Sequence, residues 1–353
     1  VAHLRINPGL RILLRASGSL QVGLGPGGVL LDGTCEADLA FIARLREGLD
    51  DTGLAAAAAS CRISRTRTEE LLTALEPVLV AGSGQDPGTN GLRTDRLAPD
   101  RNAWSAVYGG DGGSILAGRS SAVVLVLGLG RTGAALSCAL AAAGVGTLLL
   151  EDPLPVSPAD VGAGAFRLAD IGLNRAQALR RLVHQIDPTV ACHLVSGTGT
   201  ANEPGSGLPR MLDLAVCTAA DVPDGNIGAA LMSRGHPHLP VLSREQDALV
   251  GPLVVPGQSA CLECLNRHHG DADPDWYSLG ADLAAQKTGT PVDEVSLSVA
   301  AAGLAALQAL LYVDGRNQPA AWSAVLQLRP ADGTVVRHAY PPHPGCGCSL
   351  QPC

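Results

Sequence analysis

The sequence predicts an α/β protein, a doubly wound sheet preceded by a small winged-helix-like α+β domain. Three features carry that expectation. The run SAVVLVLGLGRTGAALSCALAAAGVGTLLLED reads as strand, glycine turn, helix, glycine stop and strand. Apolar residues make up 46% of the chain but aromatics only 3%, so the core must be filled by Ala, Leu and Val, which suits helices on a parallel sheet. Near the start, three short strands separated by glycine turns precede three helices.

Those strands are RILLR, SLQVGL and GVLLD, with SGS and GPGG as breakers. The helices follow at Glu36–Glu47, Gly53–Cys61 and Thr68–Val80, the last repeating Leu71, Leu72, Leu75 and Val78 on one face. This unit spans residues 1–82 and has the size of a winged helix. The string GSGQDPGTNG has no periodicity and marks a linker, residues 83–92; residues 93–353 then form the second domain. A partly helical stretch surrounds Trp104.

Gly128, Gly130 and Gly133 form GLGRTG directly after the strand VVLVL, the Rossmann-like setting in which this pattern has meaning. Such glycines allow a tight turn and let a phosphate approach a helix N-terminus, where unpaired amides favour an anion. Asp152 ends the next strand, where a ribose hydroxyl acceptor belongs. The same glycines also serve to pack strand on helix, so the loop alone does not establish a bound nucleotide. A nicotinamide dehydrogenase shares the loop, but the second half carries no hydride-transfer constellation.

Further strands are predicted at 190–195, 214–218 and 240–242, with helices at 174–185 and 226–234. Beyond Cys264 the pattern turns irregular, then a small-residue helix occupies 292–312, and AWSAVLQL with VVRHAY forms a closing hairpin around Asp332 and Gly333.

Of ten cysteines, six are scattered, while Cys261 with Cys264 and Cys346 with Cys348 form two tight pairs. Four thiolates in two short knuckles suit a tetrahedral structural zinc that ties the tail back onto the middle of the domain. His343 stands close enough to replace one ligand or to support the site from outside. The formal charge of −8 gives no general attraction to phosphate backbones. No uninterrupted apolar run reaches spanning length and VAHLRINPGL lacks the order of a signal peptide, so a soluble, cytoplasmic protein is expected.

The order of strand, GxGxxG, AGVG, LLLED, QIDP at 185–188, CT at a strand end, CxxC and a late cysteine pair resembles the ubiquitin-activating-enzyme-like superfamily of ThiF and MoeB, over roughly 93–348. VGPLVVPGQSACLECLNRHHGDADPDW and HPGCGC look more narrowly like the ThiF-like proteins of azole-forming peptide pathways, partners of YcaO cyclodehydratases. The resemblance implies an N-terminal domain that captures a leader peptide as an added strand, lined by 19–24, 29–32 and the helix 68–80. It implies a homodimer. In active members adenylation uses an arginine element, a lysine and a magnesium-binding aspartate. Those positions read Gly162 and Ala163, Arg175 and Ala219, although Asp152 and a faint RTDR at 93–96 survive. Arg175 is thus the one cation left at the nucleotide positions Gly128, Gly130, Gly133 and Asp152. Losing the metal's anchor removes the charge neutralisation that adenylation needs.

No residue is assigned a catalytic role: Cys217 reads as core, and Asp221 and Asp224 are the nearest substitute metal ligands. The first reading is therefore a non-catalytic protein that presents a precursor peptide to a modifying enzyme such as a YcaO cyclodehydratase, with zinc and no obligatory ATP. A second is an ATP-dependent adenylyltransferase acting on a peptide or small-protein C-terminus. A third is a winged-helix DNA-binding regulator using Arg62, Arg65 and Arg67, with Glu69, Glu70 and Glu76 arguing against it. His184, His193, His236, His238, His268 and His269 share no catalytic spacing.

Overall fold

The computed structural model describes residues 3–82, 91–197, 207–286 and 293–350, and the expected linker string falls mostly outside them. Two compact units are present, Val1–Ala117 and Gly118–Cys353.

In the first unit, β1 (His3–Ile6) is followed by β2 (Ile12–Leu14), β3 (Leu20–Val22) and β4 (Val29–Leu31), then by α1 (Glu36–Glu47), α2 (Asp51–Ser60) and α3 (Arg65–Leu75). β2, β3 and β4 form the antiparallel three-stranded sheet that the sequence predicts. The third helix differs: it begins at Arg65, capped by Ser64 Oγ accepting from the Arg67 N–H, and gives way at Glu76 to a short 3₁₀ turn containing Pro77. The residues expected to finish it instead form β5 (Leu79–Gly82), antiparallel to β1. Phe41, Ile42, Leu45, Leu71 and Leu75 close the core beneath Leu20, Val22 and Leu31.

α4 (Gly91–Tyr108) also belongs to this unit, so the division falls later than the linker expected from composition. The Asn7 amide donates to the Ser105 carbonyl, and a Cβ at Gly9 would meet the Asn102 carbonyl at 2.0 Å. Both contacts hold α4 against the loop after β1.

α5 (Gly112–Ser121) leads into the second unit, where β6 (Val123–Leu127), α6 (Arg131–Ala142) and β7 (Thr147–Glu151) reproduce the predicted opening. α7 (Arg175–Ile186), β8 (Ala191–Leu194), β9 (Leu214–Ala220), α8 (Gly225–Ser233) and β10 (His238–Ser243) continue it. β11 (Ala248–Val250) was not legible in the sequence. The stretch after Cys264 is not irregular but forms α9 (Leu262–Ala272) and α10 (Trp276–Ala285), before α11 (Val295–Asp314) and the hairpin β12 (Ala324–Leu328) and β13 (Val335–Ala339).

The sheet runs β13-β12-β11-β10-β9-β6-β7-β8. It is mixed rather than wholly parallel: β10, β9, β6, β7 and β8 are parallel, while β11, β12 and β13 extend it antiparallel. Val124 and Val126 face the core shared with α6, α7 and α11, and Leu125 and Leu127 face the one shared with α8, the alternation of a strand covered on both sides. α11 is long and apolar enough by length and composition alone to cross a membrane, but its Ala302, Ala305, Ala306 and Ala309 are buried in the sheet-facing core. Arg119 and Asp314, both fully buried, form a two-pronged ion pair at 2.7 and 2.8 Å.

Candidate functional sites

β6 ends where the chain order reverses across the sheet, with β7 on one side and β9 on the other, the place where doubly wound sheets bind ligands. Gly128 has φ +80°, and a Cβ there would lie 2.4 Å from the Thr218 carbonyl oxygen. A Cβ at Gly133 would lie 1.9 Å from the Gly128 carbonyl, so this glycine lets α6 approach the strand. Gly130 is the N-cap of α6. The Thr218 hydroxyl donates to the Gly128 carbonyl at 2.7 Å and fastens the turn to β9. The cradle keeps its predicted shape.

Its carboxylates and Arg175, however, are already engaged with one another. Asp152, 8% exposed, accepts from the Leu129 N–H at 2.8 Å, from the Leu154 N–H at 2.9 Å and from Arg175 at 3.1 Å. Arg175 stands just past the Asn174 N-cap of α7 and also grips buried Asp160 through Nε and Nη2, at 2.7 to 3.1 Å. Burial disfavours the Arg175 cation, but the Asp160 and Asp152 carboxylates outweigh it and raise its pKa. One cation between two carboxylates leaves Arg175 with no positive charge to spare for phosphate. The other nearby cation, Arg131, donates to the main-chain carbonyls of Asp293 and Val161. Arg131 and Asp160 line a small pocket with Gly162, Ala163, Ala165, Val295, Ser298 and Val299. Asp160 escaped the sequence reading; its signal was the SPAD string, in which Ser157 and Asp160 cap a 3₁₀ turn.

The second site is formed by Cys261, the N-cap of α9, Cys264 one turn on, and Cys346 and Cys348 in the tail. Their sulfurs all lie within 4.8 Å of one another. Sγ–Sγ distances are 3.8 Å for Cys261–Cys264, 3.7 Å for Cys261–Cys346 and 3.3 Å for Cys264–Cys348. A tetrahedral zinc with thiolates at about 2.3 Å separates its sulfurs by about 3.8 Å, whereas a disulfide requires about 2.05 Å. The donor set therefore fits a metal such as zinc, and the residues that would hold it are those four cysteines. Burial works against ionisation at Cys264, yet main-chain hydrogen bonds from His343 and Cys261 to its sulfur hold the thiol below its usual range.

A family model described as the ThiF family matches residues 116–349, well over half of the chain. The chain belongs to the ThiF family. No curated protein sequence matches it. Among solved structures it is similar to E. coli MccB with AMPCPP and MccA, at 16% identity and TM-score 0.75, covering 99% of this chain and 100% of that one. The microcin C7 biosynthetic enzyme MccB with N-formylated MccA matches at 17% identity and TM-score 0.72, covering 98% and 99%. PaaA matches at 16% identity and TM-score 0.71, covering 94% and 98%. At such identities these likenesses establish the fold, including the small β-rich N-terminal portion.

Within this ThiF-family fold the remaining predicted residues take definite places. Ala219 lies on β9, offering no oxygen side chain. Asp224 is occupied as the N-cap of α8, accepting from the Asn226 and Ile227 N–H groups, and Asp221 lies in the field of Arg244. Burial pushes the Cys217 thiol to about 12, which suits a core residue and not a nucleophile. His343 does not join the sulfurs; its ring bonds Asp271 and the Gly345 N–H. RTDR lies on α4 in the first unit. There, Arg65 pairs with Glu69, and Arg67 with Asp38 and Glu70, tying down two of the three arginines offered for DNA.

β3 has a neighbour on each side and offers no free edge, so the predicted strand at 19–24 is not available for strand addition. β4 is an edge of its sheet, and α3 packs beside it through Leu71 and Leu75 near Leu31.

Proposed function

We propose that this protein is a non-catalytic ThiF-family member that captures a precursor peptide in its N-terminal domain, residues 1–82, and presents it to a modifying enzyme such as a YcaO cyclodehydratase. The observation that carries the non-catalytic part is the Arg175 clamp on Asp152 and Asp160. Ala219 supplies no oxygen where a magnesium-binding acid belongs, and Arg175 is committed to its two acids, so the charge neutralisation that adenylation needs is weakened.

The peptide enters as an added strand on the free edge of β4, and its alternate side chains face α3 beside Leu31 and Leu72. E. coli MccB, crystallised with MccA, supports a peptide as the partner class. Zinc at Cys261, Cys264, Cys346 and Cys348 is structural, since four thiolates leave no open coordination position. By family analogy the protein is a cytoplasmic homodimer.

The test is fluorescence anisotropy with a labelled precursor peptide encoded beside this gene, together with pyrophosphate exchange. Saturable binding that is lost in Leu72→Arg, with no exchange, is the expected result. The second reading, an ATP-dependent adenylyltransferase, is favoured by the intact glycine loop and by the AMPCPP complex of MccB. Peptide-dependent pyrophosphate exchange would establish it in place of ours.

A further inference from the structure

His343 does more than lie near the cysteine clamp. Its Nδ1 accepts the Gly345 N–H at 3.0 Å, which leaves Nε2 carrying the proton that it donates to Asp271 Oδ2 at 2.9 Å. Its carbonyl accepts the Cys346 N–H at 2.9 Å. One residue thus shapes the turn that delivers Cys346 and reaches α9 through Asp271. Only 13% of its side chain is exposed. His268, one helical turn before Asp271's end of α9, adds a bond from Nε2 to the Pro341 carbonyl at 2.9 Å, so the tail is laid along one face of α9.

The CGC spacing needs such a device. Cys346 and Cys348 follow a stretch, 340–346, without strand or helix, and only Cys348 sits in a short 3₁₀ turn, about eighty residues after the first knuckle. A short tail that must offer two sulfurs at tetrahedral separation loses affinity unless its turn is fixed beforehand.

We propose that His343 is the positioning residue of the metal clamp: anchored by Asp271, it fixes the turn that presents Cys346 and Cys348 and is not itself a ligand. This rests on the reading of the four cysteines as a metal site. Both ring nitrogens already have partners, so the imidazole has no free lone pair for a metal.

The experiment uses the full chain, with zinc content by mass spectrometry, zinc affinity by competition with a chromogenic chelator, and the absorption spectrum after cobalt substitution. Wild type is expected to hold one zinc and to give the cobalt spectrum of four thiolates. His343→Ala should weaken zinc binding by about tenfold or more without changing that spectrum. His343→Asn keeps an acceptor for the Gly345 N–H and should recover part of the loss, and Asp271→Asn, which keeps the acceptor for Nε2, should lie close to wild type.

Zinc affinity of His343→Ala within twofold of wild type would overturn the proposal, as would a cobalt spectrum that shifts from an imidazole-containing to an all-sulfur pattern on substitution. Wild type without bound metal would sink the clamp reading itself, a separate failure. Circular dichroism keeps unfolding apart from metal loss, and His343→Asn gives the same comparison if His343→Ala does not fold.

Discussion

The glycine loop and the cysteine clamp both announce ligand sites in the sequence, and they differ in what their polar atoms have left to offer. At the clamp, four sulfurs converge at metal-like separations. At the cradle, the backbone is equally well formed, but Asp152 has its oxygens engaged and Arg175 is held by two acids. Shape follows from glycines and strand order; capacity follows from unpaired donors and acceptors. The clamp retains both, whereas the cradle's Asp152 and Arg175 are committed to one another.

The largest effect that follows is at the clamp. Cys264→Ser, at a fully buried sulfur, should abolish zinc retention and lower the unfolding temperature of the second unit, because structural zinc contributes on the order of 10 kcal/mol in small metal sites. Retained stoichiometric zinc in this variant, read by mass spectrometry, would break the contrast between the two sites.

Next in size is the cradle's own clamp. Arg175→Ala leaves Asp152 and Asp160 buried together without a counter-cation, and breaking such a pair costs about 3–5 kcal/mol. Urea unfolding measures it, and Arg175→Lys, which keeps the charge but loses the fork, should fall between. A loss below about 1 kcal/mol would mean that the cluster is solvated and the cradle more open than its geometry indicates.

A third effect tests the frame shared by both sites, since β10 pairs with β9 and its His238 also bridges to Val254, upstream of Cys261. Burial depresses the His238 pKa to about 4; Nδ1 bonds the His236 carbonyl and Nε2 has no partner. The folded-state value lies below the ordinary one near 6.5. The neutral ring therefore adds its full stability above about pH 6.5, and that stability is lost as pH falls towards 4, by up to about 3 kcal/mol. Unfolding free energies of wild type and His238→Leu across this window should differ in slope, and parallel curves would refute the assignment.

What the sequence made legible was local. β6, the glycine turn, α6 and β7 follow from a contiguous pattern of apolar runs and glycines, and the cysteine pairs from spacing alone. What it hid was set by distant partners. Leu79–Gly82 continues a helical period, yet Pro77 ends the helix and pairing with His3–Ile6 decides its structure. β11 is only three residues long and exists through β10 and β12. Asp160 meets Arg175 across an irregular loop, and His343 acquires its role only when the tail returns to α9. No periodicity encodes either contact.

The smallest effect expected is also the most direct challenge to the comparison. Ala219→Asp places a carboxylate at the strand end where the family resemblance implies a magnesium ligand, at a partly buried position on β9. If the missing metal ligand were the whole defect, this change would produce saturable, magnesium-dependent binding of AMPCPP in calorimetry. We expect no such binding, because the added acid brings further negative charge to the site, while Arg175 stays committed to Asp152 and Asp160. Saturable heat in Ala219→Asp alone would show that the cradle lacks one oxygen and not a whole set of countercharges, and the two sites would then differ in degree and not in kind.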